Sequence, residues 1–84
     1  MVNKKIVEND ILDAFGFFCP IPLIKTKERI DRMKEGEILK VISDDEVILE
    51  DMTNWCKASG NEFIGYERRT DGLHLYVRKR GVSK

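Results

Sequence analysis

A cysteine followed by two alternating prolines, Cys19-Pro20-Ile21-Pro22, is the stretch of this sequence best equipped for chemistry. A thiolate is the reactive form of cysteine, and the start of a helix favours it over the thiol, whose reference pKa is about 8.5. Proline is tolerated in a first helical turn because its missing N–H has no partner there. Each residue before a proline is biased away from the helical region. The two prolines therefore stiffen the turn and fix where Cys19 points, while removing two amides that would otherwise have faced it. The amides of Ile21 and Leu23 remain. The same spacing is also compatible with a structural cysteine that happens to precede a turn.

The second thiol, Cys56, is 37 positions further on. It falls on the apolar stripe of a helix and is expected to pack as a small hydrophobe. A bridge between the two is disfavoured: a helix of about 13 residues spans ~20 Å, whereas bridged cysteines have Cα atoms within ~7 Å. Two such cysteines do not make a disulfide framework. Cys19, Cys56 and His74 lack the ligand spacing of a zinc site, and no metal is expected.

Hydrophobic periodicity supplies the elements around Cys19. Ile11-Leu12-Asp13-Ala14 reads as a short first strand ended by Gly16, and residues 1–10 as an extension or a frayed first strand. Pro20 to about Lys34 reads as a helix with Leu23, Ile30 and Met33 on one face and Gly36 as its stop. Glu37 to Ser43 is a largely apolar strand. Ser43-Asp44-Asp45-Glu46 has capping-box spacing, and the helix it opens carries Ile48, Met52, Trp55 and Cys56 on one stripe and ends near Gly60. Glu62 to Arg69 and Leu73 to Arg80 form a hairpin about Thr70-Asp71-Gly72. In the last strand Leu73, Leu75 and Val77 are expected to face one way and His74, Tyr76, Arg78 and Arg80 the other, with His74 solvated on the open side. Met52 and Trp55 are expected in the core, as is Phe17, with Phe18 exposed.

Strand, helix, strand, helix, strand, strand with right-handed crossovers gives an α/β (α+β) fold. It is a two-layer βαβαββ sandwich, a four-stranded mixed sheet with two helices on one face, formed by a single domain over residues 11–84. Both helix N-termini then share one edge. The acidic run Asp44 to Glu46 belongs to that edge, and Asp44 and Asp45 suit the positive end of the second helix.

The 84 residues hold 15 basic and 15 acidic side chains, so net charge gives no general attraction to nucleic acid. A domain this small has no interior for a large cofactor, and none is expected. No apolar run approaches the ~20 residues of a membrane span, and no signal segment follows Met1. A cytoplasmic location, where thiols stay reduced, is expected.

The chain resembles the TusA family of sulfur-carrier proteins, also called SirA-like. The resemblance runs through Leu12-Asp13-Ala14-Phe15-Gly16-Phe17, Cys19-Pro20-Ile21-Pro22 and Gly36-Glu37, and continues through Ser43-Asp44-Asp45, Asn54-Trp55-Cys56 and Thr70-Asp71-Gly72. It implies a fold similar to the C-terminal domain of bacterial translation initiation factor three. It also implies that Cys19 carries sulfur as a persulfide, supported by Gly16, Pro20 and Pro22. The sulfur would come from a donor protein, a cysteine desulfurase or a rhodanese-like protein, and pass to an acceptor protein. Nucleic acid would be only the indirect destination of that sulfur, as in tRNA thiolation. Phe18 stands where such proteins often carry a polar or basic residue. Phe15, Phe17 and Phe18 would surround the thiol with aromatic surface, which tends to raise its pKa. Phe18, Asp44 and Asp45 are the candidate partner-docking residues.

The alternative is a non-catalytic binding module. Arg68, Arg69, Arg78, Lys79 and Arg80, with Tyr66 and Tyr76, would form a basic, stacking-capable open sheet face for RNA.

Overall fold

The computed structural model describes residues 8–18 and 21–80. Six elements follow in order: β1 (Asp10–Asp13), α1 (Ile21–Asp31), β2 (Ile38–Ser43), α2 (Val47–Ser59), β3 (Glu62–Arg69) and β4 (Gly72–Arg78). They form one mixed four-stranded sheet in the order β1-β2-β4-β3. β1 runs parallel to β2 with Leu12 opposite Val41. β4 runs antiparallel to both of its neighbours, with Leu75 opposite Val41 on one side and Tyr66 on the other. The expected α+β sandwich is the fold observed.

The apolar faces explain the layering. Leu12, Leu39, Val41, Leu73, Leu75 and Val77 from the sheet meet Ile30, Met33, Ile48, Met52 and Cys56 in one buried cluster, with Leu23, Trp55 and Phe63 partly buried against it. Each fully buried Leu, Ile or Met contributes about 1.5–3 kcal/mol of transfer free energy. Asn9 ties the start of β1 to β2, its amide donating to the Ile38 carbonyl (2.7 Å) and its side-chain oxygen accepting from the Ile38 amide (2.9 Å). Residues 1–7, most of the expected extension, lie outside the described residues.

Several expectations change. β1 begins one residue earlier than expected, at Asp10. α1 starts at Ile21 and ends at Asp31, not near Lys34. Its last amides tighten to the third residue back, Arg32 onto Arg29 and Met33 onto Ile30, and the Glu37 carboxylate takes the Lys34 amide at 2.9 Å. Its buried residues are Pro22, Thr26 and Ile30; the Thr26 hydroxyl donates to the Pro22 carbonyl at 2.8 Å.

The capping box does not form. Ser43 Oγ accepts from the nearby Asp45 amide (3.1 Å), and the Asp45 carboxylate takes the Val47 amide (3.1 Å). Glu46 makes no cap bond and instead pairs with Arg68 of β3. The opposite end of α2 agrees with the sequence: the Gly60 amide donates to the Cys56 carbonyl at 3.0 Å.

His74 and Tyr76 do face away from the helices, yet they are only 5% and 6% exposed. β4 is an interior strand, so neighbours on both sides cover it. Lys40 lies over the Tyr76 ring, 5.9 Å from its centre, and His74 is flanked by Ile42 and Glu67.

Candidate functional site

Three connections meet where β1 and β2 end: residues 14–18 leading into α1, residues 44–46 leading into α2, and the turn at Thr70-Asp71 between β3 and β4. Their meeting follows from topology, because β1 and β2 are parallel and β4 starts opposite the end of β2, with Leu73 across from Ser43.

Backbone bonds hold the first connection. The Ala14 amide donates to Ile42 of β2 (2.8 Å), the Phe17 amide to Ala14 (3.2 Å) and the Ile21 amide to Phe18 (3.0 Å). The Phe15 amide donates to the Asp13 carboxylate at 3.0 Å. Gly16 has φ +92°, a left-handed conformation that side chains with a Cβ resist, although a Cβ there would meet nothing within 4 Å. Backbone conformation, not space, is therefore what calls for glycine at position 16. Its amide donates to the Asp44 carboxylate at 2.9 Å, which joins the two helix-leading loops. Gly72 is required for space as well: a Cβ would lie 2.8 Å from the Ser43 carbonyl and 3.2 Å from the Phe15 ring. Phe15 thus packs against the hairpin turn. It shares a shallow groove there with Asp44, Glu46, Arg68 and Asp71.

Cys19 and Pro20 lie outside the described residues; in sequence Cys19 stands two positions before the first residue of α1. The residues on either side are described. Phe18 is 69% exposed and Ile21 44%. Pro22, in the first turn of α1, is fully buried. The Ile21 amide, expected to remain free for a thiolate, is engaged by the Phe18 carbonyl. Phe17, expected in the core, is 39% exposed. The space beneath the start of α1 is already closed by Pro22 and Thr26, and the Phe17 ring lies instead under the Lys25 ammonium, 5.0 Å from its centre. Lys25 is thus a cation beside this loop that sequence reasoning missed; a lysine eight residues after an aromatic across a helix start carries no pattern of its own. Asp44 ties the Gly16 turn and Asp45 caps α2, so both candidate docking residues also have structural work.

Cys56 is 2% exposed on the inner face of α2, as expected, and burial pushes its thiol up to about 12. It holds its proton at neutral pH and is a core residue. His74, expected to be solvated, places Nε2 2.9 Å from the Asp71 carboxylate across the hairpin turn. That bond holds the Asp71 carboxyl below the usual range. His74 Nδ1 finds no partner among the described residues. Aspartate and histidine three apart around a turn glycine was the signal for this pair. Among the described residues no group of three histidine, cysteine or acidic side chains could hold a metal ion, and no helix is long and apolar enough to cross a membrane.

The basic residues do not assemble into a stacking surface. Arg68 pairs with Glu46, Arg69 with Glu67 (2.8 Å), and Arg78 and Arg80 both with Glu62 (2.9 and 3.3 Å). Lys79 Nζ donates to the Ile30 carbonyl at 2.9 Å. Tyr76 is buried beneath Lys40, which leaves Tyr66, 47% exposed, beside Arg68.

Comparison with known proteins agrees with this architecture. The family model described as "Sulfurtransferase TusA" matches residues 10–79. The Bacillus subtilis protein named "Putative sulfur carrier protein YrkF" is 38% identical over 71 residues; the match covers 84% of this chain and 38% of YrkF, so the chain spans well under half of that relative. "Sulfur carrier protein TusA" of Allochromatium vinosum is 31% identical over 68 residues, 81% of this chain and 90% of that protein. The crystal structure of a SirA-like protein from Desulfitobacterium hafniense has the same fold, with a TM-score of 0.74 at 20% identity over 84% of this chain and 97% of the other. The chain belongs to the sulfurtransferase TusA family.

Proposed function

We propose that this protein is a sulfur carrier that accepts sulfane sulfur on Cys19 and relays it to an acceptor protein. The observation that carries the reading is the family match over residues 10–79, within which Cys19 is followed in sequence by prolines on both sides of Ile21, and the described residues Phe18 and Ile21 that flank it are exposed. The only other cysteine is sealed inside.

In the proposed reaction the Cys19 thiolate attacks the outer sulfur of a donor persulfide. A new S–S bond forms at Cys19, the donor's S–S bond breaks, and the donor cysteine leaves as its thiolate with the electron pair. An acceptor thiolate then repeats the step on Cys19 and restores the free thiol. Sulfur changes hands with no net oxidation, so no external oxidant is needed; the chemistry parallels thiol–disulfide exchange. The donor in this reading is a cysteine desulfurase or a rhodanese-like protein. The destination is a sulfur-trafficking pathway such as tRNA thiolation, with RNA reached only through the acceptor protein. Gly16, Pro20 and Pro22 set the backbone around Cys19, and Phe18, Asp44 and Asp45 belong to the surface that partners meet.

The test is loading. Incubation with a cysteine desulfurase and cysteine adds one sulfur mass to the full chain, read by intact-protein mass spectrometry without reductant. Normal loading of Cys19→Ser would refute the assignment.

A further inference from the structure

The edge that carries the helix-leading loops is both apolar and acidic. We infer that it docks a partner protein whose contact surface is apolar at its centre and ringed by lysine and arginine. The inference rests on the carrier reading for its purpose, since it names the kind of surface that visits Cys19, but its observations are independent of that reading.

Eight large hydrophobic residues are exposed among those described, and six of them, Phe15, Phe17, Phe18, Ile21, Ile24 and Val47, belong to the connections and first helical turns of this one edge. Ile24 follows Ile21 by three residues, so the two share a helix face. Single exposed apolar side chains need no explanation, but a concentration of this kind marks an interaction surface.

The charges around it are one-sided. With the mutually paired Glu67–Arg69 and Glu46–Arg68 set aside, four carboxylates stand at this edge (Asp13, Asp44, Asp45 and Asp71) against one lysine, Lys25. The Asp13 and Asp44 carboxylates accept from the backbone amides of Phe15 and Gly16. The whole chain is neutral, so the balancing positive charge lies on the rest of the chain. The protein is therefore polarised, and its field draws in a positively charged surface edge-first and repels a negative one.

The probe is a set of three short synthetic peptides, each bearing one cysteine as its mixed disulfide with thionitrobenzoate: one of leucines and lysines, one of leucines and glutamates, one of serines and lysines. Attack by the Cys19 thiolate on the peptide sulfur breaks the S–S bond and releases coloured thionitrobenzoate. The leucine–lysine peptide should react at least about tenfold faster than the leucine–glutamate peptide at about 0.01 M salt. The ratio should approach one near 1 M salt, where the screening length shrinks from about 30 Å to about 3 Å. The triple variant Asp13→Asn, Asp44→Asn, Asp71→Asn keeps an acceptor oxygen at each position and should collapse the ratio. Ile24→Ser with Val47→Ser should slow the leucine–lysine peptide several-fold and spare the serine–lysine one.

Equal rates for the two charged leucine peptides, a ratio indifferent to salt, or no release from any peptide would overturn the inference. So would concentration-dependent self-association by sedimentation that blocks the leucine–lysine peptide, which would make a second copy the occupant. Sulfur loading is a separate measurement: failed loading with an intact charge preference would remove the carrier reading and leave the docking surface standing, and the converse would do the reverse.

Discussion

The two cysteines belong to contrasting regions of the chain. Cys56 is on the inner face of α2 among Ile48, Met52 and the strand side chains, 2% exposed, with its proton held up to about 12. Cys19 stands between Phe18 and the start of α1, and its described neighbours Phe18 and Ile21 are 69% and 44% exposed. The contrast teaches that secondary structure alone does not decide the fate of a thiol. A cysteine on the buried stripe of a helix becomes packing. Cys19 stands in sequence two positions before α1 and three after Gly16, whose amide Asp44 holds, and it is the thiol we propose for chemistry.

The largest expected effect tests that contrast directly. At pH 7.5 a thiol at about 12 has roughly three orders of magnitude less thiolate than one near the reference of about 8.5. Thiol titration of the native protein with a coloured disulfide should therefore show one reacting group, and the second only on denaturation. Two fast thiols in the native state would erase the distinction.

The interior side is then sharpened by Met52→Ala. Met52 is fully buried beside Cys56, and truncation should cost about 2–5 kcal/mol in denaturant unfolding, with sulfur loading of the remaining folded protein preserved. Next comes pH. The Cys56 thiol titrates near 9 when exposed and near 12 in the fold, so the unfolded chain loses its proton first. The stabilisation is complete below pH 9 and is lost as pH rises toward 12, by about 1.4 kcal/mol per unit. Cys56→Ala should remove that slope relative to wild type, at the cost of a smaller constant loss in stability. The smallest expected effect is on the edge side. Asp44→Ala leaves the Gly16 amide without its acceptor and should cost about 1 kcal/mol, while Asp44→Asn retains an oxygen there and should recover most of it.

Much of this was legible in the sequence. Periodicity located both helices, because Ile30, Ile48, Met52 and Cys56 recur at helical spacing, and the Thr70-Asp71-Gly72 turn marked the hairpin. What it missed depended on neighbours far away in the chain. Alternation told which side of β4 His74 faces but not that β2 and β3 would cover it. The spacing of Ser43 and Glu46 fitted a cap, yet Arg68, 22 residues later, competes for the Glu46 carboxylate. Phe17 looked like core because it is aromatic, but Pro22 and Thr26 had already filled the space below α1. At the site itself, local features such as Gly16 and the proline spacing were readable. The Gly16–Asp44 bond, spanning 28 residues, was not.

The most direct measurement is the mass of the intact protein after exposure to a cysteine desulfurase and cysteine, compared among wild type, Cys19→Ser and Cys56→Ser. The account predicts one added sulfur on wild type and Cys56→Ser and none on Cys19→Ser. Loading that survives loss of Cys19, or that disappears with loss of Cys56 in a folded protein, would contradict it.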